Sequence, residues 1–141
     1  MRLRQLVLPT RAEVEGAVQS RQAEVERLFR SLRERLPGVQ AFLLLSSGGE
    51  LLGHSAHGSL FDLDTFAAEY AMLLRIARRT SEDTGMGNVE EQILITASSQ
   101  IVVLRFPLDH FGVFVCSQEE QLGRLRYELK RSLLYSSFSH L

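Results

Sequence analysis

Two stretches, VQAFLLLSS (residues 39–47) and HFGVFVCS (residues 110–117), constrain this chain more than any other feature. Both are apolar on the two alternating faces of an extended strand. In the first, Ala41, Leu43 and Leu45 lie on one side and Phe42 and Leu44 on the other. A strand dry on both faces belongs in the interior of a sheet that is covered above and below. The chain has 141 residues, the size of one domain. At that length roughly two-thirds of the unfolded surface can be buried, enough for a core on each side of a sheet.

The remaining periodicities supply the cover. Residues 11–36 place Val14, Val18, Val25, Leu28, Phe29, Leu32 and Leu36 on one helical stripe, with arginine and glutamate opposite, and Pro37-Gly38 stops the helix. The short apolar LRQLVLP before it, within an arm spanning residues 1–11, reads as an extra edge strand or as an arm laid on a partner. Gly48-Gly49 turns the first strand into ELLGHSA, which is shorter, more polar and suited to a sheet edge.

From Asp62 the period becomes helical, with Asp62 or Asp64 as N-cap and Gly85 beyond the far end. Leu63, Phe66, Ala67, Tyr70, Leu73, Leu74 and Ala77 form a face that covers a sheet. Met72 and Ile76 point to nearly the opposite side, beside Thr65, Glu69 and Thr80, which predicts a partner there.

Three more strands follow. EQILITAS alternates Ile93, Ile95 and Ala97 against Gln92, Leu94 and Thr96. A Ser98-Ser99 turn leads to QIVVLRFPL, ended by Pro107, and Leu108-Asp109 turns into HFGVFVCS. QEEQLGRLRYELKRSLLYSSF is a last helix with Leu122, Leu125, Leu129 and Leu133 on one stripe. Glu119 and Glu120 are expected in its first turn, and Lys130 and Arg131 nearer its end, as the helix dipole prefers.

The element order is α-β-β-α-β-β-β-α, an α+β fold. Strands joined by short turns are antiparallel. Placing the two doubly apolar strands centrally predicts a five-stranded sheet of order 2-1-5-4-3, with the terminal helices on one face and the middle helix on the other. The third strand is then an open edge beside Met72 and Ile76. The predicted interface is Thr65, Glu69, Met72 and Ile76 from the helix with Gln92, Ile93, Leu94 and Ile95 from the strand.

GHSAHG (residues 53–58) asks for a chemical reading and does not sustain one. A nucleophile elbow needs Gly-x-Ser-x-Gly on a strand-to-helix turn, whereas here position 57 is His and the second glycine comes at Gly58. His54 and His57 are too few to hold a metal, and His110 and His140 are remote in sequence. The GG at 48–49 and GMG at 85–87 lack a phosphate-binding pattern. No catalytic residue, cofactor or metal site is predicted. Arg105 interrupts the apolar run IVVLRF, as either a solvent-facing or a partner-facing position.

A net charge of −1 provides no field for nucleic acid or anionic membrane. The lone cysteine, Cys116, reads as a buried hydrophobe and allows no intrachain disulfide. Without a signal-peptide core or a membrane-length apolar run, the chain is expected to be soluble and cytoplasmic.

Taken together, PGVQAFLLLSSGGELLGHS, LDTFAAEYAMLLRIARR, EEQILITASSQIVVLRF and GVFVCSQEEQLGRLRYELKR resemble the Roadblock (dynein light chain type) domain family. The resemblance spans about residues 12–135 and leaves a short tail at 136–141. It implies a homodimer, or a heterodimer with a related Roadblock chain, whose sheets join into one. It also implies binding and regulation of a Ras-like small GTPase, without catalysis. LVLPT and the LDT opening of the middle helix are similar to the bacterial gliding-motility regulators of this family. Those accelerate GTP hydrolysis by rearranging the GTPase rather than by lending an arginine. Two other functions stay open at this point: a dimeric scaffold that never meets a GTPase, and a small-molecule-sensing or enzymatic domain using residues 53–58.

Overall fold

The two doubly apolar strands pair with each other in antiparallel register at the centre of a five-stranded sheet. The computed structural model describes residues 8–58 and 62–134. In chain order the elements are α1 (Arg11–Arg35), β1 (Val39–Leu45), β2 (Leu51–Ala56), α2 (Leu63–Asp83), β3 (Glu91–Ile95), β4 (Ser99–Phe106), β5 (His110–Ser117) and α3 (Leu122–Leu134). A single 3-10 turn at Pro107–Asp109 joins β4 to β5. The sheet order is β2-β1-β5-β4-β3, all antiparallel, as the sequence predicts.

Alternation along the strands divides the core into two layers. Phe42, Leu44, Val102, Leu104, Phe106 and Phe114 meet Val25, Leu28, Phe29 and Leu32 of α1 and Leu125 and Leu129 of α3. On the reverse face, Leu43, Leu45, Ile101, Val103, Val113 and Val115 meet Ala67, Tyr70, Ala71 and Leu74 of α2. A bulge lets β1 serve both layers: Val39 pairs with Cys116 and Ala41 with Val115, so Gln40 is the extra residue. Val39 thereby joins the α1/α3 layer with Phe42 instead of following Ala41 to the α2 side.

Three phenylalanines knit the first layer. Phe42 and Phe114 stack at 4.6 Å between centroids and 6° between planes, and Phe106 leans on both. Gly112 makes room for this. A Cβ there would lie 2.6 Å from one atom of the Phe106 ring and 2.8 Å from the next.

The helix ends have defined chemistry. Thr10 and Glu13 form a reciprocal capping box at the start of α1, each side chain accepting the other's backbone N–H at 3.2 Å. Asp62, not Asp64, caps α2 by accepting the N–H groups of Asp64 and Thr65. At its other end Met86 N–H bonds Ser81 O and Gly85 N–H bonds Glu82 O, a Schellman closure with Gly85 at φ 72°.

Several expectations need correction. Leu73 is 40% exposed; the buried face of α2 is narrower than predicted and includes Ala71, which packs under the Gly49 turn. Val14 is also exposed, the Val18 side chain lies outside the described residues, and the first core residue of α1 among those described is Val25. β3 ends at Ile95, three residues early, since Thr96 Oγ1 turns back to accept the N–H groups of Ser98 and Ser99. Glu119 and Glu120 precede α3 rather than opening it, and Glu120 accepts the Gly38 N–H at 3.0 Å. Most of the LRQLVLP arm, residues 59–61, the YSSF end of the last helix and the 136–141 tail lie outside the described residues.

Gly112→Ala should force the Phe106 ring out of its place and cost about 1–3 kcal/mol of stability. Urea unfolding checks this, and an unchanged midpoint would mean that the ring can move aside freely.

Candidate protein interface

The sheet has two edges, and they differ. Among the described residues β3 bonds only β4, and no described strand lies along its outer side. α2 does not extend over it: Leu94, on the α2 side of the sheet, remains 38% exposed, and Ile95, on the other side, is 63% exposed. Gln92 shares the α2 side with Leu94, whereas Ile93 shares the α1/α3 side with Ile95. The predicted strand residues are therefore split between two faces.

On α2, Thr65, Glu69, Met72 and Ile76 follow one exposed line turned away from the sheet, with Met72 61% and Ile76 63% exposed. The Thr65 hydroxyl is already engaged, donating to Asp62 Oδ2 at 2.8 Å. Arg75 and Arg78 reach the carbonyls of Gly48 and Ser47 in the β1–β2 turn. At about 100° per residue, Leu73 lies on the flank opposite Arg75, toward β4 and β3. Exposed Leu73 widens the apolar surface of α2 beyond Met72 and Ile76, although helical-wheel reasoning assigned it to the core.

Two buried polar atoms on this side have no hydrogen-bond partner among the described residues: Tyr70 Oη and Gln92 Oε1. Tyr70 belongs to the α2 layer, and Gln92 pairs with Val103 of the same layer. Burial pushes the Tyr70 hydroxyl up to about 12, so it is a neutral donor at any ordinary pH.

On the β2 edge the outward backbone of His54 is already bonded. Gln22 of α1 accepts the His54 N–H at 2.9 Å and donates to the His54 carbonyl at 2.7 Å. Gly53 permits this approach, since a Cβ there would sit 3.0 Å from both Val25 Cγ2 and Gln22 Oε1. The two side chains that attract a catalytic reading are on opposite faces of the strand. Ser55 pairs with Phe42 of the α1/α3 layer, and His54 with Leu43 of the α2 layer. No serine–histidine couple forms across a sheet. The groove beside Ser55, about 310 Å³ between α1 and β2, is shallow and lined by Glu26, Phe29, Arg30 and Arg33. Among the described residues, no three His, Cys, Asp or Glu side chains gather as metal ligands, and no helix is long and apolar enough to cross a membrane.

Arg105 is half-buried and engaged in ion pairs. It bonds Glu90 at 3.2 Å and Asp109 at 3.3 Å, and Asp109 also holds Arg78 at 2.7 Å. This network pins a turn in which Leu108 and Asp109 both have positive φ, 62° and 57°, with Leu108 65% exposed. Asp tolerates that region better than Leu, so the ion pairs offset local strain.

This architecture recurs in known proteins. The profile of the Roadblock/LC7 domain family matches residues 25–107. MglB of Myxococcus xanthus superposes with a TM-score of 0.68 at 15% identity, over 90% of this chain and 88% of that one. The gliding protein MglB of Thermus thermophilus gives 0.69 at 18% identity, over 91% and 90%. MglC of Myxococcus xanthus gives 0.57 at 21% identity, over 84% and 99%. No curated protein matches the sequence. At these identities the structural likeness is one of fold, and the family and its neighbours support a regulatory or adaptor module.

The edge strand is tied to its own domain by charge. Glu91 at the start of β3 is gripped by Arg126 at 2.6 and 2.8 Å and by Lys130 at 3.1 Å. The Arg126 hydrogen bond, opposed by partial burial and aided by Lys130, lowers the Glu91 carboxyl from 4.5 to about 2. A carboxyl lowered on folding stabilises above its unfolded value, and that contribution disappears as pH falls from about 4.5 toward 2. Arg126 and Lys130 are 43% and 49% exposed, so screening reduces the gain to about 1–2 kcal/mol. Glu91→Gln should therefore be less stable than the parent at pH 7, with the gap narrowing steadily toward pH 2.5. Urea midpoints across that range test it, and a pH-independent gap would contradict the assignment.

Proposed function

The chain belongs to the Roadblock/LC7 domain family, and from that premise we propose that it is a non-catalytic dimeric module that binds a Ras-like small GTPase and modulates its GTP hydrolysis. The observation that carries this reading is the asymmetry of the sheet. On one edge the outward backbone of His54 is bonded by Gln22, and on the other no described strand flanks β3, which carries exposed Leu94, while α2 exposes Met72, Leu73 and Ile76.

A second copy, or a related Roadblock chain, supplies what this surface lacks. Pairing β3 to β3 about a two-fold axis bonds the open edge groups and brings the two α2 helices together. Each large apolar side chain fully buried there contributes about 1.5–3 kcal/mol. Thr65, Glu69, Gln92, Ile93 and Ile95 fill out the rim of this proposed contact.

The GTPase as client comes from the family resemblance and from the missing chemistry at GHSAHG, whose His54 and Ser55 diverge across the strand. Arg78 and Arg105 are engaged by Asp109 and Glu90, and action by rearranging the GTPase rather than by lending an arginine is what the resemblance to the gliding-motility regulators implies. A cytoplasmic setting suits Cys116, the one cysteine, buried with its thiol pushed up to about 12 by burial and by Glu120.

Two measurements test the proposal. Met72→Glu with Ile76→Glu should convert the dimer to a monomer by light scattering, with a loss of two- to tenfold or more in GTPase stimulation; a double variant that stays dimeric removes the α2 contact from the reading. Titrating the wild-type protein into the host's Ras-like GTPase should change the hydrolysis rate and saturate near two chains per GTPase. A dimer that neither binds the GTPase nor alters its rate is a scaffold instead.

A further inference from the structure

We propose that Gln22 is an assembly stop: its side-chain amide occupies the strand-pairing position on the outer edge of β2 and confines strand addition between copies to the β3 edge. The inference rests on the proposed β3 dimer only for the number of chains at which assembly ends. In a hydrogen-bonded antiparallel pair, one residue gives an N–H and receives one through its C=O from the residue opposite. Gln22 does this to His54 with a side chain, accepting the N–H at 2.9 Å and donating to the carbonyl at 2.7 Å.

The amide has no freedom to turn over. Its remaining N–H donates to Glu26 Oε1 at 2.9 Å, one helical turn on. Reversal would set N–H against the His54 N–H and carbonyl against carbonyl, so the network itself decides the orientation. Gly53 brings the helix within range, with Val25 and Gln22 both at the limit of what a Cβ would tolerate.

Docking of α1 does not need these bonds. Val25, Leu28, Phe29 and Leu32 carry the burial, and Gln22 lies before them, where the helix becomes exposed. What Gln22 contributes is closure of an edge. Uncovered, β2 presents an unpaired backbone row of the kind that templates pairing with another chain. The occupant it fits is the β2 edge of a second copy, joined antiparallel about a two-fold axis. A chain with two pairing edges forms open arrays, because each two-fold contact leaves another edge exposed. A chain with one forms a closed pair.

Gln22→Ala removes all three amide bonds and keeps a strong helix former in place. The expected result is a mass by light scattering that rises with concentration beyond that of the wild type, together with at least about tenfold faster hydrogen exchange at the His54 amide. Adding His54→Pro, which deletes the outward N–H that a new strand would need, should return the mass to the wild-type value. Equal masses for wild type and Gln22→Ala at every concentration overturn the proposal, and so does unchanged His54 exchange, which needs no second variant to fold. In the Met72→Glu, Ile76→Glu background, Gln22→Ala should allow one doubling and no more. A wild-type monomer that doubles on Gln22→Ala overturns the β3 dimer while leaving the stop intact.

Discussion

The antiparallel pairing of β1 with β5 is the contact on which the rest of this structure depends. Both strands are buried on both faces, so neither can lie at an edge, and each face requires its own cover. With β2 joined to β1 and β4 to β5 by short turns, the edges can only be β2 and β3. Phe42 on β1 stacked against Phe114 on β5, with Phe106 across the space Gly112 leaves, locks the register on the α1/α3 side. A one-residue slip would carry these rings to the α2 face, where Val113 and Leu43 now sit.

The same arrangement explains GHSAHG without chemistry. Gly53 is glycine because α1 crosses closely there. His54 contributes its backbone to Gln22, and its side chain is exposed on the other face. Ser55 returns to the α1 side, and His57 follows in the bend, its N–H bonded to the Gln40 carbonyl at the bulge. A motif-like string therefore arises from a strand whose alternate residues answer to two different layers.

Strand order and the assignment of helices to faces were legible because they follow from local periodicity and from burial on two faces. The details that were not legible depend on distances between elements remote in sequence. Leu73 falls within the apolar arc of α2, yet it is exposed, while on the opposite flank Arg75 and Arg78 bond the β1–β2 turn. Nothing in the neighbourhood of Gln22 signals that its amide meets a residue 32 positions away. Glu120 has the charge of a helix-opening residue, but it is committed to Gly38 beside the start of β1. The Thr10–Glu13 capping box was available as TRAE, a local signal that the broader helical stripe concealed. Of the interface residues, the α2 line was readable from the 3.6-residue period. The division of β3 between two faces was readable from its alternation, but its consequence was not: only Gln92 and Leu94 share a side with α2.

Polar satisfaction finally separates the two edges more sharply than hydrophobicity does. At β2 the outward N–H and carbonyl of His54 are both bonded by Gln22, so a partner strand would have to displace bonds already made. At β3 no described strand flanks the outward backbone, and Tyr70 Oη in the α2 layer and Gln92 Oε1 on β3 are buried without a partner among the described residues. An edge already bonded offers an incoming strand only exchange. Glu91, clamped by Arg126 and Lys130, ties the start of β3 to α3 and so holds this edge strand in its own sheet.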